Sequence, residues 1–329
     1  MNAQAVAGLI VLVGSEAATL AGVPIISTWN TPIGWCGFIV FADGVVFGAR
    51  RHSWIRSAPK ELIFLALVSI PLWLVFELYN LHIDNWSYVG LPEARWARLL
   101  GYGWAFATIW PAIFEGAELV SVWRGASPGV HIGRTETWLV TPPSRRRAVG
   151  TVLVAVGIIL LAWPLVWPSR YLAAPVFLGF IFLLDPINWS LGHQSLFEDL
   201  HDAHVWTLRW TNLALSGLLC GVLWEGLNYW STAKWHYTVP IMEDFKIFEM
   251  PLPGYLGFPA FALECFTMYV FVRGVARRFI GLPSNPLREG PTGLHDVVVS
   301  VGADASHHPL VAGTCSLDGR SRDGRTLAL

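Results

Sequence analysis

The sequence is short of charge. Asp, Glu, Lys and Arg make up 14% of its 329 residues, against roughly 25% in soluble domains, while 54% are hydrophobic and the mean hydropathy is +0.49. A soluble fold of this size would lack polar surface. Cysteine is also scarce: Cys36, Cys220, Cys265 and Cys315 form no C-x-x-C spacing, which excludes a zinc ribbon or a disulfide framework. Net charge is −1 with no basic stripe, so no nucleic-acid partner is expected. A phosphate-cradling glycine loop, a nucleophile elbow and the clustered histidine boxes of membrane di-iron enzymes are all missing, which removes the common signatures of catalysis. The pair His201-x-x-His204, beside Glu198 and Asp202, has metal-binding residue types. A single pair in an aqueous loop reads as a solvated amphipathic segment, so no metal is expected. No cofactor or oligomeric state is indicated.

What is present in excess is tryptophan, with 18 copies, a residue that favours the membrane–water boundary. Membrane lipid is therefore the expected surrounding. Eight apolar segments are long enough to cross about 30 Å of hydrocarbon, near 4–26, 32–49, 61–81, 99–122, 148–169, 171–190, 208–230 and 253–274. The N-terminal segment has no basic flank and no small-residue cleavage site, so it reads as a first helix. Short hairpins are expected at 27–31 and 170–171. From about 280 the chain turns to Gly, Ser, Asp, His and Arg and reads as a disordered tail. The expected fold is an all-α polytopic bundle of about eight helices, divided into 1–31, 32–123, 124–170, 171–279 and 280–329.

Basic residues set the orientation. Arg50, Arg51, Arg56 and Lys60, then Arg124, Arg134, Arg145, Arg146 and Arg147, then Arg273, Arg277 and Arg278, all fall on one side of an eight-span chain. That side, with both termini, is expected to be cytoplasmic in a bacterial inner membrane. The 191–207 loop, acidic through Glu198, Asp199 and Asp202, is discordant. Loops holding Trp86, Trp96, Trp230 and Trp235 fall opposite.

An internal repeat is visible. Gly37-Phe38-Ile39, Asp43 and Ser53 recur as Gly179-Phe180-Ile181, Asp185 and Ser195 at an offset of 142. Phe76-Glu77-x-x-Asn80 recurs as Trp224-Glu225-x-x-Asn228 at 148, and Trp86-x-Tyr88 as Trp235-x-Tyr237 at 149. Gly101-Tyr102 recurs at Gly254-Tyr255, Pro111 at Pro259, and Glu115 at Glu264. Constant order with slowly drifting offsets is the signature of duplication. Each copy is expected to hold three helices, with one linking helix between, giving parallel copies related by a pseudo-twofold axis along the membrane normal.

Asp43, Glu77, Glu115, Glu118, Asp185, Glu225 and Glu264 fall in or near the spans of the two copies, with Glu16 in the first. No cation is expected beside them. Acids at bilayer depth are costly, at least about 2.5 kcal/mol each on insertion scales, and usually face an interior. Glu77 with Asn80, Glu225 with Asn228, Asp185 with Asn188, and Glu115 with Glu118 share helical faces at i, i+3. Three readings stand: interhelical hydrogen-bond glue, acid catalysis on an apolar substrate, and proton or cation passage. The Trp-x-Tyr loops are either interfacial anchors or, folded inward, ring faces that stabilise a cation.

The order of acid, Trp-x-Tyr, Gly, Pro and Glu, present twice, resembles the tandem lycopene cyclase domain of carotenoid enzymes over roughly 33–120 and 175–270. That family carries Pro-x-Glu-Glu, where this chain has single acids followed by Gly116 and Cys265. The resemblance implies acid-assisted ring closure of an isoprenoid end, with Glu115 and Glu264, reached by Pro111 and Pro259, as proton donors and Glu77 and Glu225 as helix-end acids. Gly254-Tyr255-Leu256-Gly257-Phe258-Pro259 and Trp224-Glu225-Gly226-Leu227-Asn228-Tyr229-Trp230 are also similar to bacterial polytopic membrane proteins of unassigned function. The expected site is catalytic Glu77, Glu115, Glu225 and Glu264, with Asn80, Trp86, Tyr88, Asp185, Asn228, Trp235 and Tyr237 around a hydrophobic small molecule. A coupled transporter and a non-catalytic subunit of a pigment or lipid complex are the alternatives.

Overall fold

A computed structural model describes residues 1–125, 143–200, 203–239, 241–242 and 244–280. The expected tail, the His201-x-x-His204 pair, Asp202 and Arg134 lie outside the described residues or side chains. Helices dominate: α1 (Ala3–Leu20), α2 (Pro24–Arg50), the short α3 (Trp54–Ser57), α4 (Pro59–Ile83), α5 (Arg95–Trp123), α6 (Pro143–Val166), α7 (Ala173–Ser190), the short α8 (Leu196–Asp199), α9 (Ala203–Tyr229) and α10 (Gly257–Ile280). Seven of the described helices are long and apolar enough to cross a membrane. The remaining long helix, α9, has 27 residues. Two small ribbons lie between helices: β1 (Trp86–Val89) with β2 (Lys234–Tyr237), and β3 (Lys246–Ile247) with β4 (Met250–Pro251).

The first hairpin is earlier than expected. Gly22, at φ +76°, takes the left-handed turn that closes α1, and Pro24 opens α2 at its first position. Ser27, Asn30 and Thr31, read as loop residues for their polarity, instead lie buried within α2. Asn30 donates to Glu16 Oε1 at 2.7 Å and to the Leu227 carbonyl at 3.0 Å, so Glu16 is held by an interhelical hydrogen bond.

Packing brings α1 onto α2 and α6 onto α7 through glycine contacts. A Cβ on Gly8 would lie 2.2 Å from the Phe41 nitrogen, and one on Gly157 would lie 2.4 Å from the Leu183 nitrogen. Gly37 abuts Leu12 at 2.6 Å and Gly179 abuts Leu161 at 2.6 Å, measured the same way. Only glycine permits such backbone approach, as in other small-residue helix interfaces within membranes.

Asp43 and Asp185 each fasten a short helix. Asp43 accepts from the Ser53 hydroxyl and the Ile55 amide, both at 2.8 Å. Asp185 accepts from the Ser195 hydroxyl at 2.6 Å and from the Leu196 and Phe197 amides at 2.8 and 2.9 Å. The carboxylates thus satisfy first-turn amides of α3 and α8, donors that a helix start leaves unpaired.

The expectation that no cation pairs with the acids is corrected. Arg50, the last residue of α2, pairs with buried Glu118. Arg209 of α9 grips Asp199 through both carboxylate oxygens at 2.7 and 2.6 Å, and Arg273 of α10 pairs with Glu61 at 2.6 Å. These arginines lie in or at the ends of apolar helices, where hydropathy averages hide a single cation. Of the acidic 191–207 loop, Asp199 is thus paired from the neighbouring helix. All three pairs sit at the end of the bundle opposite the β1–β2 ribbon.

Candidate functional site at the strand end

The site is built where the two Trp-x-Tyr segments meet. β1 and β2 pair antiparallel, with Trp86 opposite Tyr237, Ser87 opposite His236, Tyr88 opposite Trp235 and Val89 opposite Lys234. Trp86 and Trp235 are each 8% exposed, so these loops fold inward and are not interfacial anchors. The exposed indoles are elsewhere, including Trp96, Trp123 and Trp167.

Asn80 and Asn228 fix the ribbon. Asn80 donates to the Trp86 carbonyl at 2.8 Å and accepts from the Asn85 and Trp86 amides. Asn228 donates to the Trp235 carbonyl and accepts from the Trp235 amide, both at 2.9 Å. Both side-chain amides therefore hold backbone groups of the ribbon, and neither asparagine is among the cavity-lining residues. The i, i+3 spacing from Glu77 and Glu225 places each carboxylate one turn further into the bundle.

Glu77 Oε1 accepts from Trp73 Nε1 at 2.8 Å, from Trp86 Nε1 at 3.3 Å and from the Tyr88 hydroxyl. Glu225 Oε1 accepts from the Tyr237 hydroxyl at 2.8 Å, and that hydroxyl accepts from Trp235 Nε1 at 3.0 Å. Burial, reinforced by the adjacent carboxylates, raises both phenols well above the usual tyrosine range, so Tyr88 and Tyr237 remain donors. The rings form a continuous cluster: Trp73 to Trp224 at 5.4 Å between centroids, Trp224 to Trp235 at 5.0 Å, and Trp73 to Trp86 at 5.9 Å.

A cavity of about 490 Å³ opens on one side of this cluster, within the usual size of small-molecule sites. Trp73, Trp86, Tyr88, Trp224, Trp235 and Tyr237 form one wall. Ala173, Ala174 and Phe177 of α7 and Gly257, Ala260 and Phe261 of α10 form the other. Below it Phe76 stacks on Phe177 at 5.3 Å, and Phe261 meets both edge-on at 5.6 and 5.8 Å. The segment carrying β3 and β4 covers the top through Val239, Ile241, Met250 and Pro251. On the opposite side of the cluster only about 80 Å³ remains, because Trp29, stacked on Trp104 at 6.2 Å, lies against Gly101.

Of the expected site residues, Trp86, Tyr88, Trp235 and Tyr237 line the cavity, while Glu77 and Glu225 stand behind their rings. Glu264 lies one turn beyond Phe261 on α10, where Oε1 accepts from the Phe180 amide at 3.3 Å. It is therefore beneath the aromatic floor. Glu115 is 1% exposed and lies beside Asp43 and Glu118, toward the basic end, and Asp185 is bound to the α8 turn. Neither of these two is brought to the cavity: at about 1.5 Å per residue, Asp185 sits roughly 18 Å along α7 and Glu115 roughly 30 Å along α5 from their first residues. Sequence reasoning missed Trp73, Trp224, Phe177, Phe261 and Arg170. The first two carried a signal, at four residues and one residue before the paired glutamates.

Among the described residues no group of three or more His, Cys, Asp or Glu side chains is placed to hold a metal ion. No protein family, curated protein or solved structure matches the chain.

Proposed function

We propose that the chain is a multi-pass protein of a bacterial inner membrane that binds a hydrophobic, isoprenoid-like molecule between two parallel copies of one helical unit. The basic end faces the cytoplasm with both termini, following the bias of Arg and Lys. The β1–β2 register supports the duplication. At an offset of 149, a twofold axis exchanges Trp86 with Trp235 and Tyr88 with Tyr237, and the observed antiparallel pairs Trp86–Tyr237 and Tyr88–Trp235 are exchanged with one another by that axis. The glycine contacts extend each copy to four helices. Gly8 and Leu12 of α1 correspond to Gly157 and Leu161 of α6 at 149, while their partners Phe41 and Gly37 correspond to Leu183 and Gly179 at 142. The first and linking helices are then equivalent, and the pseudo-twofold axis runs along the membrane normal.

The observation that carries the ligand-binding reading is the cavity of about 490 Å³ walled by four indoles and the phenols of Tyr88 and Tyr237, backed by the half-buried Glu77 and the buried Glu225. Such ring faces stabilise developing positive charge on a polyene. In this reading protonated Glu225 is the acid and Tyr237 its relay: the phenol gives its hydrogen to a ligand carbon as its oxygen takes the proton of Glu225, and the carboxylate recovers a proton when the rearranged cation loses one. Glu77 and Tyr88 are the counterpart pair. An isomerisation of this kind consumes no co-reactant. The closed aromatic floor and the apolar walls favour this reading over ion passage.

The test is to isolate the protein with native lipids and identify bound hydrophobic molecules by mass spectrometry, for the wild type and for Ala260→Phe, Tyr237→Phe and Glu225→Gln. Loss of ligand from Ala260→Phe is expected, with retention but altered turnover in the other two. Equal ligand content in Ala260→Phe and wild type overturns the site. Unchanged turnover in Tyr237→Phe and Glu225→Gln leaves a binding subunit rather than an enzyme.

A further inference from the structure

Among the described lining residues the cavity carries a charged side chain at one point, where Asn85, Arg170 and Tyr171 lie between the end of α4 and the start of α7 and form its mouth. We infer that its occupant is a single-chain amphiphile whose anionic headgroup, a carboxylate or a phosphate, sits on Arg170 while its chain fills the aromatic interior. This deepens, and rests on, the reading of the cavity as a ligand site.

Arg170 is the one Lys or Arg among the lining residues. Its backbone is fixed by Asn85, whose side-chain amide donates to the Arg170 carbonyl at 3.1 Å. Its guanidinium pairs through Nη2 with Asp84, and the two side chains are 50% and 58% exposed. An ion pair this exposed is weakly held, so a ligand anion competes for the fork, whose planar donors match a carboxylate or phosphate. Ala173 and Ala174, the first residues of α7, line the same mouth, and the residue preceding them, Leu172, supplies no side-chain cap. The positive end of an 18-residue helix therefore adds to the field of Arg170.

Size sets the number of chains. A cavity of about 490 Å³ is of the size that takes one small hydrophobic molecule, and so one chain.

The indoles in the wall supply the readout. The full-length protein, in nanodiscs of zwitterionic phosphatidylcholine at alkaline pH, is titrated with palmitate brominated mid-chain, with the matching alcohol and with the matching alkyl phosphate, while tryptophan quenching is followed. The anionic probes are expected to bind about tenfold more tightly than the alcohol, a preference that falls with added salt. Arg170→Gln should abolish the preference without changing alcohol binding. Asp84→Asn, which removes the competing carboxylate, should tighten the anionic probes several-fold. If alcohol and anions bind equally to the wild type, and Ala260→Phe blocks both, the headgroup inference is overturned while the cavity reading stands. If no probe quenches, or if Ala260→Phe leaves quenching unchanged, both are overturned.

Discussion

At the scale of the residue, the energetics are those of polar groups that have left water. A buried donor or acceptor that loses its partner costs about 1–3 kcal/mol, and Asn228 satisfies both the amide and the carbonyl of Trp235. Asn228→Ala is therefore expected to destabilise the protein by about 1–3 kcal/mol, read as a lowered thermal midpoint in detergent, and Asn80→Ala by a similar amount. An unchanged midpoint in both would show that the ribbon is not held by these side chains. The paired glutamates were legible in the sequence because each is tied by spacing to an asparagine and to a Trp-x-Tyr segment. The ion pairs of other acids were less so: Arg50, Arg209 and Arg273 reach Glu118, Asp199 and Glu61, each distant in the chain or on a separate helix, and nothing in local spacing records that.

At the scale of the element, helix positions follow from apolar run length, and the eight described long helices fall close to the segments that hydropathy marks, while the four-residue α3 and α8 lie between those segments. Helix ends were less legible: polarity between 27 and 31 looked like a loop, whereas Gly22 and Pro24 place the turn earlier. The ribbon was hidden because four-residue strands carry too little pattern, and Trp in a loop reads first as an anchor. Two predictions belong here. Gly8→Val drives a side chain into the Phe41 backbone and Gly157→Val into that of Leu183, whereas Gly14 has nothing within 4 Å of an added Cβ. Both valine variants should lose several degrees in thermal midpoint while Gly14→Ala stays near wild type; equal behaviour of all three would refute close packing of α1 on α2 and α6 on α7.

The second concerns the segment over the cavity. Glu249, just before β4, accepts from Lys234 Nζ and pairs with His236 Nδ1, each at 3.0 Å, which ties the β3–β4 ribbon to β2. Partial burial alone would raise the Glu249 pKa, but hydrogen bonds and charge from Lys234 and His236 outweigh it and hold it below the ordinary value of 4.5. For an acid depressed on folding, the stabilisation is complete above the unfolded pKa and disappears as pH falls through the folded one. The protection of 244–251, measured relative to intrinsic exchange at each pH, should therefore be full above about pH 4.5 and fall below it, while Glu249→Gln should be weakly protected at every pH. A flat profile in the wild type would mean that another contact holds this segment.

At the scale of the whole molecule, the duplication proposed above would make the two sides of the aromatic cluster equivalent, and the two sides are filled differently. Trp29 and Trp104 occupy the space on one side, while small residues such as Ala173, Ala174 and Ala260 leave it open on the other. The cavity was not legible in the sequence because it depends on these unrepeated residues. The same arrangement fixes a test of orientation. The ribbon lies at one end of the bundle and the basic helix ends at the other, where Arg50 meets Glu118 and Arg273 meets Glu61. Ser87 at the ribbon and Lys60 at the basic end are both exposed. With Cys36 and Cys315 replaced by serine, Ser87→Cys should react with a membrane-impermeant maleimide in right-side-out vesicles and be protected in inverted ones, and Lys60→Cys should show the reverse. Labelling of both from one side would place the ribbon and the basic ends on the same face, and the bundle would not span the membrane along its helix axes. Labelling with the two sides exchanged would keep the span but invert the orientation drawn from the arginine bias, putting the mouth at Arg170 in contact with the cytoplasm.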